Sequence, residues 1–96
     1  MLEKFLEQKL VRRVKVAGGM CLKWSSPGAA GVPDRIVLLP GGRVVFVEMK
    51  RPKGGRLSKL QKWWASELTD LGFTYNCIWN ENDLQEFANL ELGGKR

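Results

Sequence analysis

Residues 36–50 constrain the fold more than any other stretch of this chain. Ile36-Val37-Leu38-Leu39 and Arg43-Val44-Val45-Phe46-Val47-Glu48-Met49-Lys50 are β-branched and apolar runs, and Pro40-Gly41-Gly42 separates them. Two such runs joined by a short glycine-containing loop read as a β-hairpin. Pro40 has no amide hydrogen to give to a ladder, which favours a three-residue loop with Leu39 facing Arg43. Counting back from that pair sets Asp34 opposite Glu48. A two-residue loop would instead send Asp34 to the other face of the sheet.

The segments around the hairpin supply helices. Leu2, Leu6, Leu10, Val14 and Ala17 recur at helical spacing over residues 2–17, and Gly18-Gly19 ends that helix. Met20 to Trp24 reads as a short strand, followed by a loop of small and turn-forming residues, Ser25 to Gly31. No Lys-Ser or Lys-Thr follows that loop, so it is not a nucleotide-binding P-loop. Residues 51–57 form a basic, flexible connector. Ser58 and Gln61 have capping-box spacing, and the helix they open runs over 59–71 to a stop at Gly72, with a buried stripe of Leu60, Trp64, Leu68 and Leu71. Residues 73–79 have strand composition, residues 83–92 carry Leu84, Phe87 and Ala88 at helical spacing, and 92–96 read as a flexible tail. The predicted order is α-β-β-β-α-β-α, an α/β fold with a mixed central sheet flanked by helices. Ninety-six residues allow one domain with one modest core.

Composition narrows the chemistry. Sixteen Lys and Arg against 10 Asp and Glu give a net charge of +6, which favours a polyanionic partner through counterion release. The chain has no histidine, which removes Ser-His and Cys-His nucleophiles and His-bound zinc. Catalysis would have to run on carboxylates and lysine. No apolar run has the length of a membrane span and no signal peptide is evident, so the expected location is the cytoplasm, with no membrane partner. Cys21 and Cys77 lack the paired spacing of a zinc site and read as packed, reduced thiols.

Alternation along the third strand puts Val44, Phe46, Glu48 and Lys50 on one face, so an acid and a base stand at the end of an apolar row. A carboxylate there loses hydration and needs a compensating cation or donor. Asp34 directly opposite would add a second like charge, which a divalent cation bound between the two would relieve. Mg²⁺ or Mn²⁺ suits such a site, held by Asp34, Glu48 and the backbone carbonyl of Met49, with Lys50 beside a bound water. The competing reading makes Asp34 a turn residue after Pro33 and Glu48-Lys50 a plain ion pair.

Other residues carry two readings each. Glu3 and Glu7 fall on the core-facing stripe of the first helix, where either could be a further ligand, or both could simply favour a helix N-terminus. Gln61 could serve only the capping box or could also face the site. The candidate DNA contacts are Ser26, Arg35, Arg51, Lys53, Arg56, Lys59 and Lys62, several of them on the connector beside the catalytic strand end. Trp24, Trp63, Trp64 and Tyr75 could stack on bases, but most are expected in the core.

A helix with Glu, then Val32-Pro33-Asp34, then Glu48-Met49-Lys50, then a helix carrying Gln61, resembles the PD-(D/E)XK nuclease superfamily, and more closely its VRR-NUC branch. Gly31-Val32-Pro33-Asp34-Arg35, Pro40-Gly41-Gly42-Arg43, Val47-Glu48-Met49-Lys50 and Leu57-Ser58-Lys59-Leu60-Gln61 carry the likeness in that order. The resemblance implies a restriction-endonuclease-like α-β-β-β-α-β core and divalent metal on Asp34 and Glu48. It also implies catalysis by Lys50 with a helix-one acid assisting, and an active-site role for Gln61. The expected activity is a structure-specific DNA endonuclease, a homodimer resolving four-way (Holliday) junctions, with flap or nick cleavage as the alternative. A non-catalytic nucleic-acid binder is the reading from a different class.

Overall fold

The computed structural model describes residues 3–50 and 55–93. Its elements are α1 (Glu3–Val16), β1 (Met20–Lys23), β2 (Arg35–Leu39), β3 (Arg43–Met49), α2 (Lys59–Asp70), β4 (Thr74–Ile78) and α3 (Glu81–Glu91). This is the expected order, with boundaries within two residues of the sequence reading. A flexible tail was expected over 92–96, and of it Leu92 caps α3 and packs against the core. Residues 94–96, Leu2, Arg51 and Lys53 lie outside the described residues. No helix among the described residues is long and apolar enough to cross a membrane.

The hairpin closes with Leu39 opposite Arg43, as the loop composition requires. The four strands lie in the order β1-β2-β3-β4. β1 and β2 are antiparallel, as are β2 and β3, whereas β4 joins β3 in parallel after the α2 crossover. The result is the mixed sheet expected from the sequence. Two helices end as their glycines dictate. After α2, the amides of Gly72 and Phe73 bond back to the carbonyls of Thr69 and Leu68, with Gly72 at φ +97, the Schellman arrangement that only a residue tolerant of positive φ closes without strain. The same pairing of amides recurs after α1, from Gly18 to Lys15 and from Gly19 to Val14.

The sheet has two unlike faces because side chains alternate along each strand. On one face Val37, Leu39, Val45, Val47, Met49 and Ile78 meet Leu6, Leu10 and Val14 of α1 and Leu84 and Phe87 of α3. This is the main core, closed by two helices. The other face carries three cross-strand rows. Met20, Leu38 and Val44 make the first, and Leu22, Ile36, Phe46 and Tyr75 the second. Continuing the same register gives the third row: Trp24, Asp34, Glu48 and Cys77.

Among the described residues only α2 packs on this second face, and it covers the β3–β4 side. One expectation changes as a result. Of the predicted α2 stripe, Leu68 is buried and Trp64 half-buried, but Leu60 is 44% and Leu71 73% exposed. Among the described residues no helix lies over the β1–β2 half of the sheet beside them, so the stripe is wider than the surface available to it.

Gly19 sits where α1 turns into β1, and a Cβ there would collide with the Leu38 carbonyl oxygen and lie 2.9 Å from Leu39 Cδ2. Gly19→Ala is expected to lower stability by about 1–3 kcal/mol through overpacking, read from the urea midpoint at constant slope. An unchanged midpoint would show that the α1–β1 junction is not packed as described.

Candidate active site

The third row brings two acids together at the ends of β2 and β3. Asp34 is half-buried, and its Oδ2 accepts a hydrogen bond from the Met49 amide at 2.8 Å. The side chain thereby takes a place in the β2–β3 ladder where the strands begin to part. Glu48 is 2% exposed, and it is the one buried charged side chain among the described residues. Its neighbours Val47 and Met49 point into the main core, so strand alternation forces the carboxyl to the α2 side.

Gln61 resolves both of its readings at once. Its Oε1 accepts from the Ser58 amide at 2.8 Å while Ser58 Oγ accepts from the Gln61 amide at 3.1 Å, a full capping box. The same side chain donates from Nε2 to Glu48 Oε2 at 3.1 Å, and Lys50 Nζ stands 3.5 Å from its Oε1. Its orientation follows from its partners, since a backbone amide can only donate and a carboxylate can only accept. The helix cap therefore fixes a hydrogen-bond donor on the buried acid.

The electrostatics of this group are unfavourable as it stands. Burial pushes the Glu48 carboxyl up to about 8 from 4.5, reinforced by the adjacent Asp34 carboxyl, while Lys50 pulls it down and Glu3 adds a smaller upward push. The Tyr75 hydroxyl, mainly through burial and then through Glu48, is also raised. Cys77, opposite Glu48 on β4, is pushed up to about 11 by the same two causes in the same order. Each of these groups is more acidic when negative charge is withdrawn from the row.

A divalent cation fits these residues. Glu48 Oε1 is buried with no hydrogen-bond partner, which costs on the order of 1–3 kcal/mol unless something occupies its lone pairs. Two adjacent carboxyl groups offer hard oxygen donors, and a bound cation would reverse the mutual repulsion that raises Glu48. Among the described residues no three His, Cys, Asp or Glu side chains converge as a cage. Carbonyl, water or phosphate oxygens would complete the shell, the habit of a small hard ion that keeps its waters.

The structure separates the two helix-one acids. Glu7 accepts from Arg35 Nε at 2.7 Å, and Arg35 also donates to the Cys21 carbonyl at 3.2 Å. Glu7 is thus held in an internal ion pair, while Glu3 is half-buried and within electrostatic reach of Glu48. Arg35 was expected among the DNA contacts, and strand alternation explains why it is placed elsewhere. If Asp34 faces the α2 side, the next residue must face α1, where Glu7 meets it.

Arg56, Lys59 and Lys62 are exposed around the start of α2, and Ser26 is half-buried in the loop before β2. That loop is tied to α2 by a hydrogen bond from Trp64 Nε1 to the Ala30 carbonyl at 3.0 Å. Trp24 and Trp64 stack into a cluster with Phe46 and Phe73, as expected of core aromatics, but Trp63 is 51% exposed. Tyr75 and Cys77 escaped the sequence reading as neighbours of Glu48. Their place depends on the parallel β3–β4 register, which no local pattern encodes.

The chain is similar to known proteins. Residues 4–82 match the family model of the VRR-NUC domain. Over 50 residues the chain is 50% identical to "Putative nuclease p44" of Acyrthosiphon pisum secondary endosymbiont phage 1, covering 52% of this chain and 54% of the phage protein. The chain thus spans about half the length of that relative. A solved VRR_NUC domain superimposes with a TM-score of 0.83 at 23% identity, over 95% of this chain and 99% of that one. At that identity the likeness concerns the fold.

The raised Glu48 pKa has a definite sign. Between 4.5 and about 8 the folded chain keeps a proton that the unfolded chain has released. The associated stability is complete below the ordinary carboxylate range and is lost as pH rises through about 8. In chelator, the urea midpoint should fall across this window, and Glu48→Gln should remove that fall. An identical pH slope in the variant would show that Glu48 is not the group responsible.

Proposed function

This chain belongs to the VRR-NUC family of nucleases, and we propose that it is a metal-dependent endonuclease that hydrolyses phosphodiester bonds in branched DNA. The observation that carries this reading is the buried, unpartnered oxygen of Glu48 beside Asp34, with Gln61 donating to the other oxygen of the carboxyl group and Lys50 reaching Gln61. A structural ion pair would leave no such oxygen without a partner. Mg²⁺ or Mn²⁺ held by Asp34, Glu48 and the Met49 carbonyl would act as a Lewis acid on phosphate and acidify a water.

The chain's own residues do the rest. Asp34 is pinned by the Met49 amide and Glu48 by Gln61, so both acids are set before substrate arrives. Lys50 brings a positive charge and three donors to the strand end, suited to a phosphate oxygen as charge develops on it. Arg56, Lys59 and Lys62, with Arg51 and Lys53 of the connector, would hold the flanking phosphates. Glu3 is the helix-one acid that would assist. Ser26 would contact DNA from the loop that α2 anchors.

The preferred substrate is a four-way junction, cut by a homodimer. One small domain offers one active site, and a junction presents two equivalent strands that a two-fold pair would cut symmetrically. Cleavage of labelled junction, flap and linear duplex with Mn²⁺ tests this, with paired symmetric nicks in the junction as the expected product. Flap-only products would replace the substrate, and salt-sensitive binding without cleavage in either metal would replace the enzyme with a binder. Lys50→Ala and Glu48→Ala should each lower cleavage at least about 10²-fold, with DNA affinity within about tenfold of the parent. Full cleavage by either variant would defeat the catalytic assignment.

A further inference from the structure

We infer that the cleft between α1 and α3 binds backbone phosphates of DNA away from the cut, with Arg12 and Arg13 as the contacts. The choice of ligand rests on the nuclease reading above, and the measurement that tests it scores no cleavage. The two acids of α1 are turned inward: Glu7 is paired with Arg35, and Glu3 is half-buried within electrostatic reach of Glu48. The outer face of the helix is left with Lys4, Lys9, Arg12, Arg13 and Lys15, and the exposed residues between them, Phe5, Gln8 and Val16, carry no charge.

Those cations crowd one another. Lys9 with Arg12, Lys9 with Arg13, and Arg12 with Lys15 stand three or four residues apart, the spacings at which like charges destabilise a helix. A bound polyanion would relieve that repulsion. Lys9, Arg12 and Arg13 line an open cleft of about 370 Å³ together with Glu81, Leu84 and Gln85 of α3, so cations outnumber carboxylates in it. Lys9 pairs with Glu81, and Arg13 Nη1 donates to Gln85 Oε1 at 3.2 Å. Arg13 thus uses one of its five N–H donors, and Arg12 makes no ion pair among the described residues. Two neighbouring guanidinium groups present the planar forks that match phosphate oxygens.

The cleft lies where DNA leaving the acids would meet it. α1 begins at Glu3, within reach of Glu48, and runs away from it. At 1.5 Å per residue, Arg12 is about 14 Å further along the helix. Phosphates of one strand recur about every 3.4 Å along a duplex, so the cleft is roughly four nucleotides from the cut. The acids and α1 lie against opposite faces of the sheet. A straight duplex seated on Glu48 therefore cannot also follow α1, whereas DNA that branches at the strand end can send one arm there. A free phosphate ion offers the same oxygens, but the basic row from Lys4 to Lys15 extends about 16 Å, which suits a chain of phosphates rather than one ion.

Binding of four-way junction in chelator, followed by fluorescence anisotropy across a range of salt concentrations, tests the assignment. Arg12→Gln should flatten the plot of log affinity against log salt by about 1, and Arg12→Gln with Arg13→Gln by about 2, since each phosphate contact contributes about 0.9. Near about 0.1 M salt each substitution should weaken binding by up to about tenfold. Both side chains are exposed, so the circular dichroism should match the parent's. Leu90→Glu lowers the net charge by the same single unit on an exposed position about 140° round α3 from Gln85, and should leave the slope unchanged. Inorganic phosphate should displace no more junction than chloride of equal ionic strength. Parallel slopes for parent and double variant, equal flattening by Leu90→Glu, or selective displacement by phosphate would overturn the assignment. An unchanged slope beside paired nicks in Mn²⁺ would remove the cleft and keep the active site, and a flattened slope without any cleavage would do the reverse.

Discussion

A carboxyl group buried against a second carboxyl group is the constraint around which this structure is arranged. Removing a charge from water costs several kcal/mol unless it is compensated, and Glu48 sits in a strand whose neighbours cannot yield. Val47 and Met49 fill the main core on one side, so a slip of one residue would drive Glu48 into that core and expose both of them. Packing on one face thus enforces an unfavourable position on the other. The strain of that position appears as a Glu48 proton held far above the usual carboxylate range, with Tyr75 and Cys77 shifted upward in the same field.

Three devices hold the surroundings of that acid. The Met49 amide fixes Asp34, and the Ser58–Gln61 capping box fixes the amide that binds Glu48. On the reverse of the sheet, Arg35 joins Glu7 of α1 to β2 one residue beyond Asp34. That ion pair ties the first helix to the strand carrying the first acid, which brings Glu3 toward Glu48 while keeping Glu7 away. Local helix-capping chemistry and active-site geometry are one network here, because the same Gln61 side chain terminates both.

The two faces of the sheet also divide the work. The α1–α3 face buries a conventional apolar core, and the α2 face carries the acids at one end and unsatisfied apolar surface at the other. The mismatch between the amphipathic stripe of α2 and its burial is informative for that reason. Leu60 and Leu71 follow the helical pattern of buried residues, yet nothing among the described residues buries them.

Much of this was legible in the linear chain because it depends on short-range rules. Pro40-Gly41-Gly42 set the hairpin loop, the loop set the register, and the register set Asp34 opposite Glu48. Ser58 and Gln61 announced the α2 cap, and the glycines announced the helix ends. Periodicity marked Leu6, Leu10 and Val14 as core. What the chain could not announce are the contacts between segments far apart in sequence. Which of Glu3 and Glu7 approaches the acids, the capture of Arg35 by Glu7, and the placing of Tyr75 and Cys77 beside Glu48 all depend on how helices dock and how β4 pairs in parallel. Local patterns determine which way each side chain faces along its own element. Only packing determines what it then meets, because that is set by the combined fit of several elements rather than by the spacing within one.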